Sequence, residues 1–124
     1  MKVLLSGTLA LLVLNSSVRA DWPQFRGPDG QGVSTARDVP LQWGLKEGVA
    51  WKKKLPGKGW SSPVIWKDQV WMTTATKAGT RLFAICVDKD SGKILHDIHV
   101  FDVEIPLSIT ADNTYASPTS VIEE

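Results

Sequence analysis

The sequence predicts an all-β protein, and three observations carry that prediction. Beyond residue 20, no segment repeats apolar side chains at i, i+3, i+4 and i+7 over a useful length, so the amphipathic-helix pattern is missing. Between residues 60 and 101, short runs rich in β-branched and aromatic residues alternate with turn signals, "KDQ", "KAG" and "KDSG". Finally, "WSSPV" at residues 60–64 returns as "YASPT" at residues 115–119. Proline lacks a backbone donor and is tolerated in sheets at an edge or at the first position of a strand, so Pro63 and Pro118 each mark a strand entry.

The elements follow in chain order. "MKVLLSGTLALLVLNSSVRA" has basic Lys2, an apolar run over residues 3–14 and small Ala20 at its end, the layout of a secretory signal peptide over residues 1–20. Its apolar part is short of the roughly 20 residues that a membrane-spanning helix needs. Cleavage after Ala20 and export to the periplasm or the exterior are expected, with the product beginning at Asp21. No cysteine lies near that point to carry a lipid anchor. Residues 21–48 are rich in Gly and Pro and lack periodicity, which predicts an extended, loop-dominated arm. Residues 49–55, "VAWKKKL", alternate Val49, Trp51, Lys53 and Leu55 against Ala50, Lys52 and Lys54, as a strand with one solvent face does, and "PGKG" ends them.

"SPVIW", "VWMTTAT", "TRLFAICVD" and "KILHDIHVF" then supply four strands in about forty residues, the size of one four-stranded propeller blade. The repeated phrase is the opening of such a unit. Trp60 and Tyr115 are expected just ahead of a strand entry. Ser61, Ser62 and Ser117 are small enough for close backbone approach and can bond exposed backbone groups. The expected architecture is thus an incomplete β-propeller: an arm, one antiparallel blade over about residues 60–101, and the first strand of a second blade within residues 115–124.

In combination, these phrases resemble the N-terminal part of exported bacterial proteins with pyrroloquinoline-quinone-like (PQQ-like) β-propeller repeats, planctomycete-type versions in particular. The resemblance rests on Trp22-Pro23-Gln24-Phe25-Arg26-Gly27 followed by Gly30, Gly32 and Val33, on "VPLQWGLKEGVAWK" (39–52), on "LPGKGWSSPV" (55–64) and on "AICVDKDSGKIL" (84–95). The family repeat reads Leu-x-Ala-Leu-Asp-x-x-Thr-Gly-Lys with a Trp a few residues on. Gly92 and Lys93 fit its frame, with Ser91 in the Thr place and His96 where the Trp is customary, and Leu82, Ala84 and Asp90 are matched to its Leu, Ala and Asp, each displaced by two positions. The resemblance implies a ring of about six to eight blades in full-length relatives, stacked because a lone blade leaves both faces uncovered. It also implies that residues 49–55 complete the last blade of the ring and that the chain is a truncated product or gene fragment.

Composition narrows the function. Lys and Arg number 14 against 13 Asp and Glu, a formal charge of +1, which leaves no footprint for nucleic acid or an anionic membrane. Lys52, Lys53 and Lys54 are expected on a solvated face. The single cysteine, Cys86, lies in apolar "LFAICV" and is read as a buried, inert thiol, with no partner for an internal disulfide. Six tryptophans is a high count for 124 residues and calls for a packing explanation.

Candidate sites each carry a plainer alternative. His96 and His99, three apart on a strand, fall on opposite faces, poor geometry for a shared metal. "DKDSG" (88–92) opens like a calcium loop but lacks the later acidic ligands, so a hairpin turn with Asp side chains on local backbone is expected. "GPDGQG" (27–32) lacks the Gly-Lys-Ser/Thr ending and the helix of a phosphate cradle. Asp102 and Glu104, two apart, would share a strand face as an acid/base pair, or serve edge-strand solubility. Trp60, Trp66 and Trp71 suit a sugar-binding surface or blade packing. No catalytic, cofactor or metal residue is assigned, and Trp60, Ser62, Pro63, Asp90, Gly92, Tyr115, Ser117 and Pro118 are structural repeat positions.

The expected function is a non-catalytic, exported propeller module for scaffolding or protein binding, as in the outer-membrane assembly factor with similar repeats. Its partners are further blades or other protein surfaces. It needs no cofactor and has no membrane span after signal cleavage. One alternative is a fragment of a PQQ- and calcium-dependent quinoprotein dehydrogenase, whose cofactor draws side chains from several blades. Another is a carbohydrate-binding propeller.

Overall fold

A computed structural model describes residues 21–37, 39–44 and 46–123. The expected signal segment, residues 1–20, lies outside the described residues. Four strands, β1 (Val64–Trp66), β2 (Gln69–Ala75), β3 (Arg81–Asp88) and β4 (Ile94–Asp102), form one open antiparallel sheet in the order β1-β2-β3-β4. The described residues contain no helix. The protein is all-β, as the missing helical periodicity predicts.

Each hairpin is closed by the chemistry of its turn. Trp66 pairs with Gln69 across a two-residue loop whose first residue, Lys67, has φ 56°, a left-handed value suited to the twist of paired strands. Asp21 holds that loop, since its Oδ1 accepts the Lys67 N–H at 2.8 Å. The β2–β3 turn is tied by Thr76 N–H to the Arg81 carbonyl at 3.0 Å, and the β3–β4 turn by Asp88 N–H to Lys93 at 2.8 Å. β3 and β4 change register twice, skipping Leu95 and Val100 on β4. Such bulges bend and twist a strand.

The core lies on both faces of β2 and β3. Strand pairing puts Val64, Ala75 and Cys86 on one face, with Thr74, Ile85 and Val87 on the other, and all six are buried. The first face meets residues 120–123 across a cavity of about 400 Å³ lined also by Gln69, Trp71 and Ala84. The second face meets Pro56 and Gly57 at a cavity of about 230 Å³ shared with Thr74, Phe83 and Asp97. Segments on either side of the sheet in sequence therefore cover opposite faces of it.

Two expected strands do not form. Residues 49–55 carry no ladder, since no backbone hydrogen bond pairs them with another described segment. Only farther on does Lys58 exchange backbone bonds with Ala75, at 2.9 and 2.8 Å. Residues 115–123 likewise make isolated bonds rather than a strand, among them Ile122 N–H to the Pro23 carbonyl at 2.9 Å. The arm is more ordered than its composition predicts. Trp22 exchanges two backbone bonds with Ile65, both 2.8 Å, and so extends the sheet beyond β1.

Candidate functional site

The two copies of the repeated phrase meet at the entry to β1. Pro63 precedes the first strand residue, as its missing donor requires, and the groups just before it turn toward the second copy. The N–H groups of Trp60 and Ser61 both donate to the Ala116 carbonyl, at 3.0 and 3.1 Å, and the Ser62 N–H donates to Thr119 Oγ1 at 3.0 Å. Thr73 on β2 clamps the seam, its Oγ1 lying 3.1 Å from the Pro118 carbonyl and 3.4 Å from that of Ala116. Ser61 substitutes for a strand partner, its Oγ accepting the Thr73 N–H at 3.0 Å. Ala116, which matches Ser61 in the alignment of the two phrases, is buried.

The expected roles are redistributed at this seam. Trp60 contributes its backbone, while its side chain is 60% exposed. It does not pack ahead of the strand, because no described segment covers that position. Ser117 turns inward to its own loop, with Oγ at 2.6 Å from Asn113 Oδ1 and 3.0 Å from the Thr114 carbonyl, so Thr119 supplies the hydroxyl that crosses to the first copy. Pro118 offers its carbonyl and opens no strand.

Three aromatic rings cover three glycines. A Cβ at Gly27 would stand 2.8 Å from Trp22, one at Gly79 2.5 Å from Tyr115, and one at Gly92 2.5 Å from Trp51. Each glycine has positive φ, so its turn supplies a flat, side-chain-free seat for a ring. Trp51 also donates its Nε1–H to the Lys89 carbonyl at 2.8 Å. The alternation of residues 49–55 placed Trp51 on a strand face, but the ring docks on the β3–β4 turn instead.

Within that turn the holding carboxylate is Asp88 and not Asp90. Asp88 Oδ1 accepts the Ser91 N–H at 2.8 Å and the Ser91 hydroxyl at 2.5 Å. These bonds, the hydroxyl first, hold the Asp88 carboxyl below its ordinary range. Asp90 only approaches Lys89 Nζ, at 3.4 Å on the surface. Asp88 is the last residue of β3 and can reach over the turn, whereas Asp90 stands within it.

The other candidates separate. His96 stacks on Trp71, with ring centroids 5.7 Å apart and planes at 11°. His99 lies on the opposite face, 5.5 Å from the Phe83 centroid, with Nε2 3.1 Å from Asp102 Oδ1. No three His, Cys, Asp or Glu side chains converge as a metal group among the described residues. Asp102 and Glu104 share no strand face, since β4 ends at Asp102, which pairs with Arg81 at 3.6 Å. In the 27–32 loop, the N–H groups of Gly27, Gly30 and Gly32 donate to the carbonyls of Gln24, Gly27 and Arg26, so they are committed within the loop. Cys86 is buried, and loss of solvation pushes its thiol up. Lys52, Lys53 and Lys54 are exposed.

The three tryptophans do not form one surface. Trp71 Nε1 donates to Gln69 Oε1 at 2.8 Å, Lys67 Nζ lies 5.5 Å from the Trp66 ring centre, and Trp60 stands apart beside the seam. There a cavity of about 460 Å³ is lined by Lys58, Trp60, Thr73, Thr74, Asn113 and Thr114 among others. Sequence reasoning missed Thr73, Thr119 and Asn113 because polar residues in a strand or loop give no periodic signal. Comparison with known protein families, with curated proteins and with solved structures finds no match to this chain.

Proposed function

We propose that the sheet is one blade of an exported PQQ-like β-propeller repeat module that scaffolds or binds other proteins and performs no catalysis itself. The observation that carries this reading is the seam, where the N–H groups of Trp60, Ser61 and Ser62 bond the second copy of their own phrase at Ala116 and Thr119. Successive repeat units pack against one another, so two copies of one phrase lying side by side are what neighbouring repeats supply. The covering of opposite sheet faces by the preceding and following segments supports the same arrangement. Under this reading the sheet faces are completed by further blades or by a protein partner.

The dehydrogenase alternative asks for calcium and a quinone held by converging carboxylate and cationic side chains. The described residues of this chain do not fit, since Asp88 and Asp90, the carboxylates of the calcium-like stretch, serve a turn and a surface ion pair. Exposed Trp60 beside the seam cavity favours carbohydrate as a second reading, because an aromatic face with flanking hydroxyl, amide and ammonium groups suits a sugar ring. The test is affinity capture of the exported full-length chain from its host's envelope fraction, paired with Thr73→Val, which removes the seam clamp. Retention of a discrete protein by the wild type and its loss in the variant is expected. Dye-linked alcohol oxidation on adding the quinone and calcium would refute the non-catalytic reading. Retardation in glycan-containing gels, abolished by Trp60→Ala, would replace it with the carbohydrate one.

A further inference from the structure

The two edges of the sheet are treated differently. β1 is covered by the arm through Trp22, whereas among the described residues no backbone hydrogen bond reaches the outer edge of β4. β4 is the longest strand, nine residues, and every residue after Ile94 is exposed. It contains neither lysine nor proline, and its guards are the two bulges at its ends and the carboxylates of Asp97 and Asp102. Its apolar side chains are prominent, with Ile98 45%, Val100 54% and Phe101 52% exposed. The bulges at Leu95 and Val100 leave a regular run over residues 96–99 between them.

That run is complementary to itself. If two copies pair antiparallel about Ile98, the directly opposed residues within that run are Ile98 with Ile98 and Asp97 with His99 twice. Opposed residues of an antiparallel pair share a face, and opposite-charge or apolar partners stabilise it. Registers displaced by two residues do worse. Centring on Asp97 opposes two carboxylates, and centring on His99 opposes two imidazoles. From this register we infer that β4 is a self-association edge, whose occupant is β4 of a second copy of this chain. The resulting eight-stranded antiparallel sheet has its two-fold axis at Ile98. This holds whether or not the sheet is a propeller blade.

The experiment uses the full-length chain, expressed with export so that its natural processing takes place. Sedimentation equilibrium from about 1 to 100 µM is expected to show a monomer–dimer equilibrium. Ile98→Lys, which sets two ammonium groups face to face at an already exposed position, is expected to weaken the dimer by roughly tenfold or more with the circular dichroism unchanged. Ile98→Cys is expected to form an intermolecular disulfide under mild oxidation, while Val121→Cys, more exposed at 61% against 45% but off the edge, is not. A wild-type monomer throughout the range overturns the inference. So does crosslinking that is equally fast at residues 98 and 121, which would mark unspecific aggregation.

Discussion

The carboxylate of Asp88 illustrates how one side chain sets a local structure. Its Oδ1 accepts two bonds from Ser91 while the Asp88 backbone N–H and carbonyl tie to Lys93 and Gly92, so four bonds converge on the residue that ends β3. Hydrogen bonds to the charged form favour it, which is why the carboxyl is held below its ordinary range. A depressed folded-state value means that the contribution to stability is fully present above the unfolded value of about 4 and is lost as pH falls through the folded one. Asp88→Asn keeps an acceptor but removes the charge. The wild type is therefore expected to melt at a higher temperature than the variant at pH 6, with the gap closing as pH falls below about 4. Melting curves across that range check this, and a gap that stays constant down to pH 3 would assign the effect to shape alone. Cys86, a few residues earlier, shows the opposite influence, since burial rather than bonding sets its thiol.

At the scale of elements, hairpins are built by turns and then locked by rings brought from elsewhere in the chain. The β3–β4 hairpin depends on Gly92 at φ 68° beneath Trp51, and the β2–β3 hairpin on Gly79 at φ 73° beneath Tyr115. Gly92→Ala both forces an L side chain into the left-handed region, at about 1–2 kcal/mol, and drives its methyl into the ring. Trp51→Ala removes the ring and its bond to the Lys89 carbonyl, an expected loss of about 2 kcal/mol for a half-buried site. The double variant is expected to fall short of the sum by about 1 kcal/mol, because without the ring only the backbone strain of the substituted turn remains. Urea unfolding of the four proteins measures this coupling, and strict additivity would mean that ring and turn act independently. The strands themselves were legible in the sequence, since β-branched runs between turn signals reproduce β2, β3 and β4 nearly to the residue. The dock was not, because a lone Trp in an alternating stretch looks like a strand residue until its distant glycine is known.

Over the whole molecule, the legible part ends where partners far apart in sequence decide the structure. The repeated phrase announced two strand entries, of which only the first opens a strand, and that the two copies meet at a seam was not legible. Which groups cross was not readable, as the crossing hydroxyl is Thr119 instead of Ser117. The seam also governs stability. Val64, Ala75, Ile85, Cys86, Val87 and Ala116 are the apolar side chains fully withdrawn from water among the described residues, and one of the six comes from the second copy. Small domains bury too little surface to offset the ordering of their chain comfortably, and here Trp66, Val70, Met72, Leu82 and Ala84 remain only half-buried. Residues that are half-covered in a single copy gain most from a neighbour, so if copies associate, the folded fraction is expected to rise with protein concentration. Unfolding of the full-length chain, followed by tryptophan fluorescence in urea, is expected to show a shallow transition. Its midpoint is expected to climb as concentration is raised from about 1 to 100 µM. Ile98→Lys is expected to flatten that climb if β4 supplies the contact, whereas a climb unchanged by it would place the stabilising contact on the sheet faces. A steep, reversible transition that is independent of concentration, from a sedimenting monomer, would show that this sheet is self-sufficient, and the repeat-unit reading would have to be given up.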